Sequence, residues 1–363
     1  MNKISFYKYQ GAGNDFVMID NRSGVYNKLN ADGITALCNR KYGVGADGVI
    51  LLEAEPQPHK SMAGERNNAT NEPNDTTGKS SEVLSECNEN AADRQLLKMR
   101  YYNADGSEAS FCGNGGRCFA LFAHHLGLSK QCKGVAFVTF IAGDGKHEAA
   151  VYSEKRVQIS MRSVQSIDVC NSYGNTLTTL DTGVPHGVIF TQSLNTCNVV
   201  ENGRKIRNDR QFPEGINVDF VERISSNNIR LRTYERGVEN ETDACGTGAV
   251  AAAIATAVTE SSDNNNVRIT CSDADNIRAD NIDIATHSDK KYLKDFGMYE
   301  VNVETKTAML KVYFTLGSDN GSDSNSDGNS DNNSAKHTKS AKDIILEGPA
   351  TRVFKGEIMI INE

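Results

Sequence analysis

No stretch of this sequence approaches the roughly 18 consecutive apolar residues that span a bilayer, so no membrane partner is expected. The opening MNKISFYKYQ lacks the apolar core of a secretory signal, which makes a cytoplasmic location the expectation. A basic excess is missing too: 39 Lys and Arg stand against 47 Asp and Glu, a net charge of -8, with no footprint for nucleic acid. Nine cysteines are present, yet no CxxC pair and no Cys/His cluster with zinc-finger spacing, so free thiols and no metal are expected. Apolar residues make up only 38% of the chain, below the globular norm.

That deficit is concentrated in three polar inserts, residues 55–93, 260–296 and 317–341. Segments so rich in Asn, Ser, Asp and Glu bury too little apolar surface to offset their ordering entropy, and solvated surface loops are expected. Within the second, VRITCSDADNIRAD keeps the pattern of a strand. Elsewhere the chain reads as short strands between Gly-rich turns. The candidates are ISFYKYQG, DFVMID, GVILLE, LKMRYYN, VAFVTFIA, HEAAVY, VQISM, HGVIF, INVDFVE, IRLRTYERG, MLKVYFTL and EIMIIN. Two segments read as helices, CGNGGRCFALFAHHLG and CGTGAVAAAIATAV. The second is apolar on nearly every side and must be enclosed on all faces, as by a curled sheet.

The starts of these helices repeat one another. SEASFCGNGGRCFALFA and NETDACGTGAVAAAIAT each place a glutamate, Glu108 or Glu241, four residues before a cysteine, Cys112 or Cys245. Each continues Cys-Gly-x-Gly into an apolar helix, so the chain reads as two related halves. Glycines let backbone N–H groups approach a ligand closely, and a helix start leaves those groups unpaired at a positive dipole end. Such an end binds a carboxylate and lowers the pKa of a cysteine placed there. Two of them face to face suit proton removal and return at a carbon next to a carboxylate. One sulfur takes the proton as thiolate and the other delivers one as thiol. No PLP-lysine or metal motif is evident, so no cofactor is expected. Cys38, Cys118, Cys132, Cys170, Cys197 and Cys271 read as small core residues.

The strings YQGAGNDFVMID, RKYGVGADGVILLE, YYNADGSEASFCGNGGRC, INVDFVE, YERGVENETDACGTGA and GPATRVFKGEI, in this order, resemble diaminopimelate epimerases across nearly the whole chain. The resemblance implies an α/β (α+β) fold of two pseudo-symmetric domains, each a curled sheet around a central helix. They are expected as residues 1–131 plus 349–363 and residues 132–348, in a homodimer. It implies conversion of L,L-2,6-diaminopimelate to the meso form, within lysine and peptidoglycan precursor synthesis, by Cys112 and Cys245. Gly113, Asn114, Gly246 and Thr247 would hold the reacting carboxylate. Asn14, Asn103, Asn217 and Arg236 would recognise the substrate's other polar groups. Glu235 would hold an amine, and His186 would stand beside a cysteine. The chain departs from the family pattern at Val184, where many members carry Asn, and at Gly48, where many carry Gln.

Blander readings exist for several of these residues. Asn14 in GAGND and Asn103 ahead of Asp105 and Gly106 also suit turns. Glu235 and Arg236 also suit a surface pair, and a lone histidine is often structural. A proline or hydroxyproline racemase shares the two-sulfur logic, and a non-catalytic thiol redox or ligand-binding protein is the alternative outside enzymes.

Overall fold

The computed structural model describes residues 2–55, 96–263, 298–318 and 339–360. Its α+β fold is built almost wholly from strands, hydrogen-bonded into one continuous network around two helices. Both expected helices form. Helix α2 spans Gly113–His125, helix α4 spans Gly246–Asp263, and two short amphipathic helices, α1 (Ala31–Cys38) and α3 (Val199–Arg207), add to them. The short helices start at Asn30 and Asn198, whose side chains accept backbone N–H groups of the first turn.

The repeat extends from sequence to topology. Asn14–Asp20 leads through α1 to the parallel strand Gly48–Ala54, which pairs antiparallel with Leu97–Asn103, itself parallel to Val135–Ala142. Pro185–Phe190 leads through α3 to the parallel strand Asn217–Ser225, which pairs antiparallel with Asn228–Glu235, itself parallel to Met298–Glu304. Strands Val135–Ala142, Gly145–Ser153 and Arg156–Ser160 pack on α2, so that enclosure runs past the expected division at residues 131/132 as far as Ser160. The last strand, Thr351–Ile360, returns to pair with Asn2–Gly11.

Each enclosure answers the apolar circumference of its helix. Residues 113–123 of α2 and 249–258 of α4 are all buried, and their apolar side chains join one cluster that includes Phe16, Phe119, Phe122, Ile254 and Leu346. Every strand candidate appears, although EIMIIN lies within the longer Thr351–Ile360 and ends in residues outside those described. The third insert is narrower than 317–341, because Gly317 pairs with Ser340 and Ser318 with Lys339. The second begins later than expected, since α4 continues to Asp263; VRITCSDADNIRAD, Cys271 and nearly all of the first insert lie outside the described residues. Among the described residues no helix is long and apolar enough to cross a membrane.

Candidate active site

Each helix start is made by the strand pair ahead of it. Glu108–Ala109 pairs with residues Tyr101 and Tyr102, and Asn240–Thr242 pairs with Thr233–Glu235; each short strand then releases the chain into its Cys-Gly-x-Gly turn. Cys112 is the N-cap of α2: its Sγ accepts the Gly115 N–H at 3.4 Å, and its carbonyl accepts the Gly116 N–H at 2.7 Å. Cys245 does the same for α4, with the Gly248 N–H on Sγ at 3.3 Å and the Ala249 N–H on its carbonyl at 2.9 Å. The two helix ends nearly touch. A Cβ added to Gly246 would lie 3.4 Å from the Gly113 Cα, and one added to Gly113 would lie 3.1 Å from Leu346 Cδ2. Glycine at both positions lets the ends converge this far without pressing on their neighbours.

Between the helix ends lies a cavity of about 220 Å³. Cys112, Gly113, Asn114, Cys245, Gly246 and Thr247 line it together with Asn14, Asn103, Asn217, Glu235 and Arg236. Every residue that the sequence suggests for recognition therefore lines one cavity. The turn readings hold as well: Asn14 ends the tight hairpin through Ala12 (φ 53°) and Gly13 (φ 97°), and Asn103 donates to Ser107 Oγ at 3.1 Å within its own turn. Arg236 donates its backbone N–H to Asn217 Oδ1 at 2.7 Å and one guanidinium N–H to the Glu214 carbonyl at 3.1 Å. Val184 also lines the cavity. Gly48 does not line it; a Cβ there would lie 2.5 Å from the Tyr102 carbonyl oxygen and 2.6 Å from the ring of Tyr101, which does.

His186 is the exception, fully buried behind the wall. Its Nδ1 lies 2.6 Å from Asp219 Oδ2 and its Nε2 lies 3.0 Å from Thr247 Oγ1, which is in turn 3.3 Å from Cys245 Sγ. A carboxylate on Nδ1 favours the proton there, leaving Nε2 to accept from Thr247. Thr247 Oγ1 can then accept the Cys245 thiol proton, so imidazole and sulfur communicate through a hydroxyl. Among the described residues no group of three or more His, Cys, Asp or Glu side chains is arranged to hold a metal ion.

The comparisons with known proteins decide the family. A family model described as diaminopimelate epimerase matches residues 178–299. The diaminopimelate epimerase of Flavobacterium psychrophilum is 38% identical over 267 residues, covering 73% of this chain and 86% of that protein. The chain belongs to the diaminopimelate epimerase family. Members are isomerases, and this chain is one. Solved structures under 25% identical share the fold. A Bacillus anthracis phenazine biosynthesis protein of the PhzF family matches at TM-score 0.55 and 14% identity, covering 99% of this chain and 100% of its own. A probable proline racemase from Agrobacterium radiobacter with bound carbonate matches at 0.54 and 12%, covering 99% and 93%.

Electrostatics in the epimerase cavity depart from the expectation that a helix start favours thiolate. Burial pushes the Cys112 thiol up to about 11, with the N–H groups of Gly115 and Asn114 pulling down and Glu235 adding to the rise. Burial likewise raises Cys245 well above the ordinary range; Glu235 and Asp219 add to the rise, while Thr247 and Gly248 oppose it. Desolvation of a thiolate outweighs the helix end here, so both sulfurs rest as thiols at neutral pH. Burial also raises the carboxyl of Glu235. Of the other cysteines, Cys38, Cys118, Cys170 and Cys197 are free thiols, as expected, but Cys132 is disulfide-bonded.

Sequence reasoning missed Asp219, Tyr101, Phe111 and Asp144. Asp219 carried a signal, since it shares a strand face with Asn217 and sits between the apolar Val218 and Phe220. Asp144 lies on the cavity wall beside His147, whose Nε2 is 2.9 Å from its Oδ1 and whose ring stacks on Phe111 at 4.1 Å. It sits in the two-residue turn between strands Val135–Ala142 and Gly145–Ser153, where an aspartate is common and signals nothing more.

Proposed function

We propose that this enzyme converts L,L-2,6-diaminopimelate to the meso form without a cofactor, through Cys112 and Cys245 acting from opposite faces of the substrate's α-carbon. The observation that carries the proposal is the pair of N-cap sulfurs at converging glycine helix ends in one cavity. N–H groups of Gly113, Asn114, Gly246 and Thr247 would receive the α-carboxylate, where they also stabilise the carbanionic state in a site shielded from water. Glu235 would take the α-ammonium group. Arg236, with Asn14, Asn103 and Asn217, would take the distal groups, since a guanidinium suits a carboxylate fork.

Both resting thiols must supply one thiolate on substrate binding. His186, backed by Asp219, is the base that would receive the Cys245 proton through Thr247. That thiolate removes the α-proton while the Cys112 thiol delivers one to the other face, and the roles reverse for the reverse reaction. The proposal extends to a cytoplasmic homodimer supplying lysine and peptidoglycan precursors.

Exchange of the α-proton in deuterated water tests the reading, with L,L-diaminopimelate and L-proline offered separately and no cofactor added. Exchange with diaminopimelate alone is expected. Exchange with proline alone would keep the chemistry and replace the substrate, and exchange with neither in folded, reduced protein would overturn the proposal.

A further inference from the structure

Arg117 is fully buried inside α2, and among the described residues no carboxylate pairs with it. A buried guanidinium without a counter-charge is costly, so its placement calls for a function. Its Nη2 donates to Asn114 Oδ1 at 2.7 Å, with weaker contacts from Nη1 to the Gly113 carbonyl at 3.4 Å and from Nε to the Pro349 carbonyl at 3.5 Å. Asn114 Nδ2 donates onward to Asn14 Oδ1 at 2.6 Å and to the Ala244 carbonyl at 3.2 Å, the residue ahead of Cys245. Asn14 Nδ2 donates in turn to Asp47 Oδ2 at 3.1 Å. Asp47 is held by Arg40 at 2.7 Å and by the Asp15 backbone N–H at 3.1 Å.

This chain has a fixed polarity. A guanidinium only donates and a carboxylate only accepts, whereas each amide between them could face either way. With Arg117 at one end, the oxygen of Asn114 must face it. Both Asn114 N–H groups are then committed to Asn14 Oδ1 and the Ala244 carbonyl. Asn14, accepting on its oxygen and donating to Asp47, keeps one N–H for the cavity that it lines. Reversing either amide would set oxygen against oxygen and N–H against N–H along the row; at Asn114 the mismatch would be fully buried and costly, while at the half-buried Asn14 it would cost less.

We infer that Arg117 and Asp47 are positioning residues that lock the amides of Asn114 and Asn14, so that the cavity presents a fixed N–H donor to an anionic substrate group and the two helix starts stay tied through Ala244. The inference rests on the proposed reaction only for which group that donor meets.

The test compares Arg117→Lys, which still only donates, with Arg117→Gln, which can face either way, and with Asp47→Asn at the other end. The side-chain NH2 resonances of Asn14 and Asn114 in a 15N correlation spectrum report the amides without turnover. Arg117→Gln and Asp47→Asn are expected to move both pairs, and Arg117→Lys to leave them near those of the unaltered enzyme. With L,L-diaminopimelate, Arg117→Gln should raise KM about tenfold while kcat falls less than about threefold, because a lost donor removes binding shared by ground and transition states. Unmoved resonances in Arg117→Gln, or Lys behaving no better than Gln, would overturn the inference. Should the Arg117 variants not fold, Asp47→Asn decides alone: Asn114, two hydrogen bonds away, must respond. Responsive amides in an enzyme that does not turn over diaminopimelate would support the positioning chain and sink the proposed substrate.

Discussion

Thr247 links His186 to Cys245, its hydroxyl lying 3.0 Å from the imidazole and 3.3 Å from the sulfur. Deleting that hydroxyl while keeping the side chain's shape isolates its contribution. Thr247→Val keeps the backbone N–H at the helix end but breaks the proton path. Epimerisation should fall about 10²-fold, within the range of acid–base contributions, and Thr247→Ser should recover most of it. Steady-state rates in both directions, with equal loss in Val and Ser variants, would rule the relay out.

The convergence of the helix ends leaves a methyl group tightly pressed on three sides. A Cβ on Gly246 would sit 3.2 Å from Leu346 Cδ2, 3.3 Å from Asn114 Oδ1 and 3.4 Å from the Gly113 Cα. Gly246→Ala should cost about 1–3 kcal/mol of stability through overpacking, read as a lower denaturant midpoint. It should also cost activity, because the two sulfurs are pushed apart.

Alkaline pH should destabilise the protein through its buried thiols. The folded Cys112 ionises near 11 against an ordinary value of 9.0, so the folded state holds its proton more tightly than the unfolded chain. Stability tied to that proton is complete below about 9 and is lost as pH rises towards 11, by at most ~1.4 kcal/mol per pH unit for each thiol. Denaturant midpoints measured at both ends of that window should fall less for Cys112→Ser than for the unaltered enzyme. Equal slopes would show that burial does not hold the thiol neutral.

Strands Met309–Ser318 and Lys339–Gly348 pair as far as Ser318 opposite Lys339. Replacing residues 319–338 by an Asn-Gly turn, which suits a two-residue hairpin connection, should leave turnover within about twofold, because loop length weighs little on closure entropy. A large loss in a folded variant would assign that insert a part in the reaction.

Most of the site was legible because its parts are local. A Cys-Gly-x-Gly turn carries its own cap, glycines and helix, and the two copies disclose each other. Less legible were elements whose pattern is broken or diluted. The strand Val164–Ser172 shifts register between Val164 and Ile167, which destroys simple alternation, and Lys339–Gly348 begins inside polar low-complexity sequence. Helices α1 and α3 are too short for their periodicity to stand out, and neither was expected from the sequence. The ionisation of the thiols could not be read at all, since it depends on burial by strands far away in sequence. Arg117 was visible as a charge within an apolar helix, but its partners come from residues 14, 47 and 244.

The two enclosures match at their mouths and differ inside. Where α2 carries Phe119 and Phe122, the corresponding turns of α4 carry Ala252 and Ala255, and all four are fully buried. Grafting α2 into the second shell would force two phenyl rings into space shaped for methyl groups, while the reverse graft would leave two ring-sized voids. The symmetry that presents two sulfurs to one cavity is therefore only skin-deep, and neither half can serve as a spare part for the other.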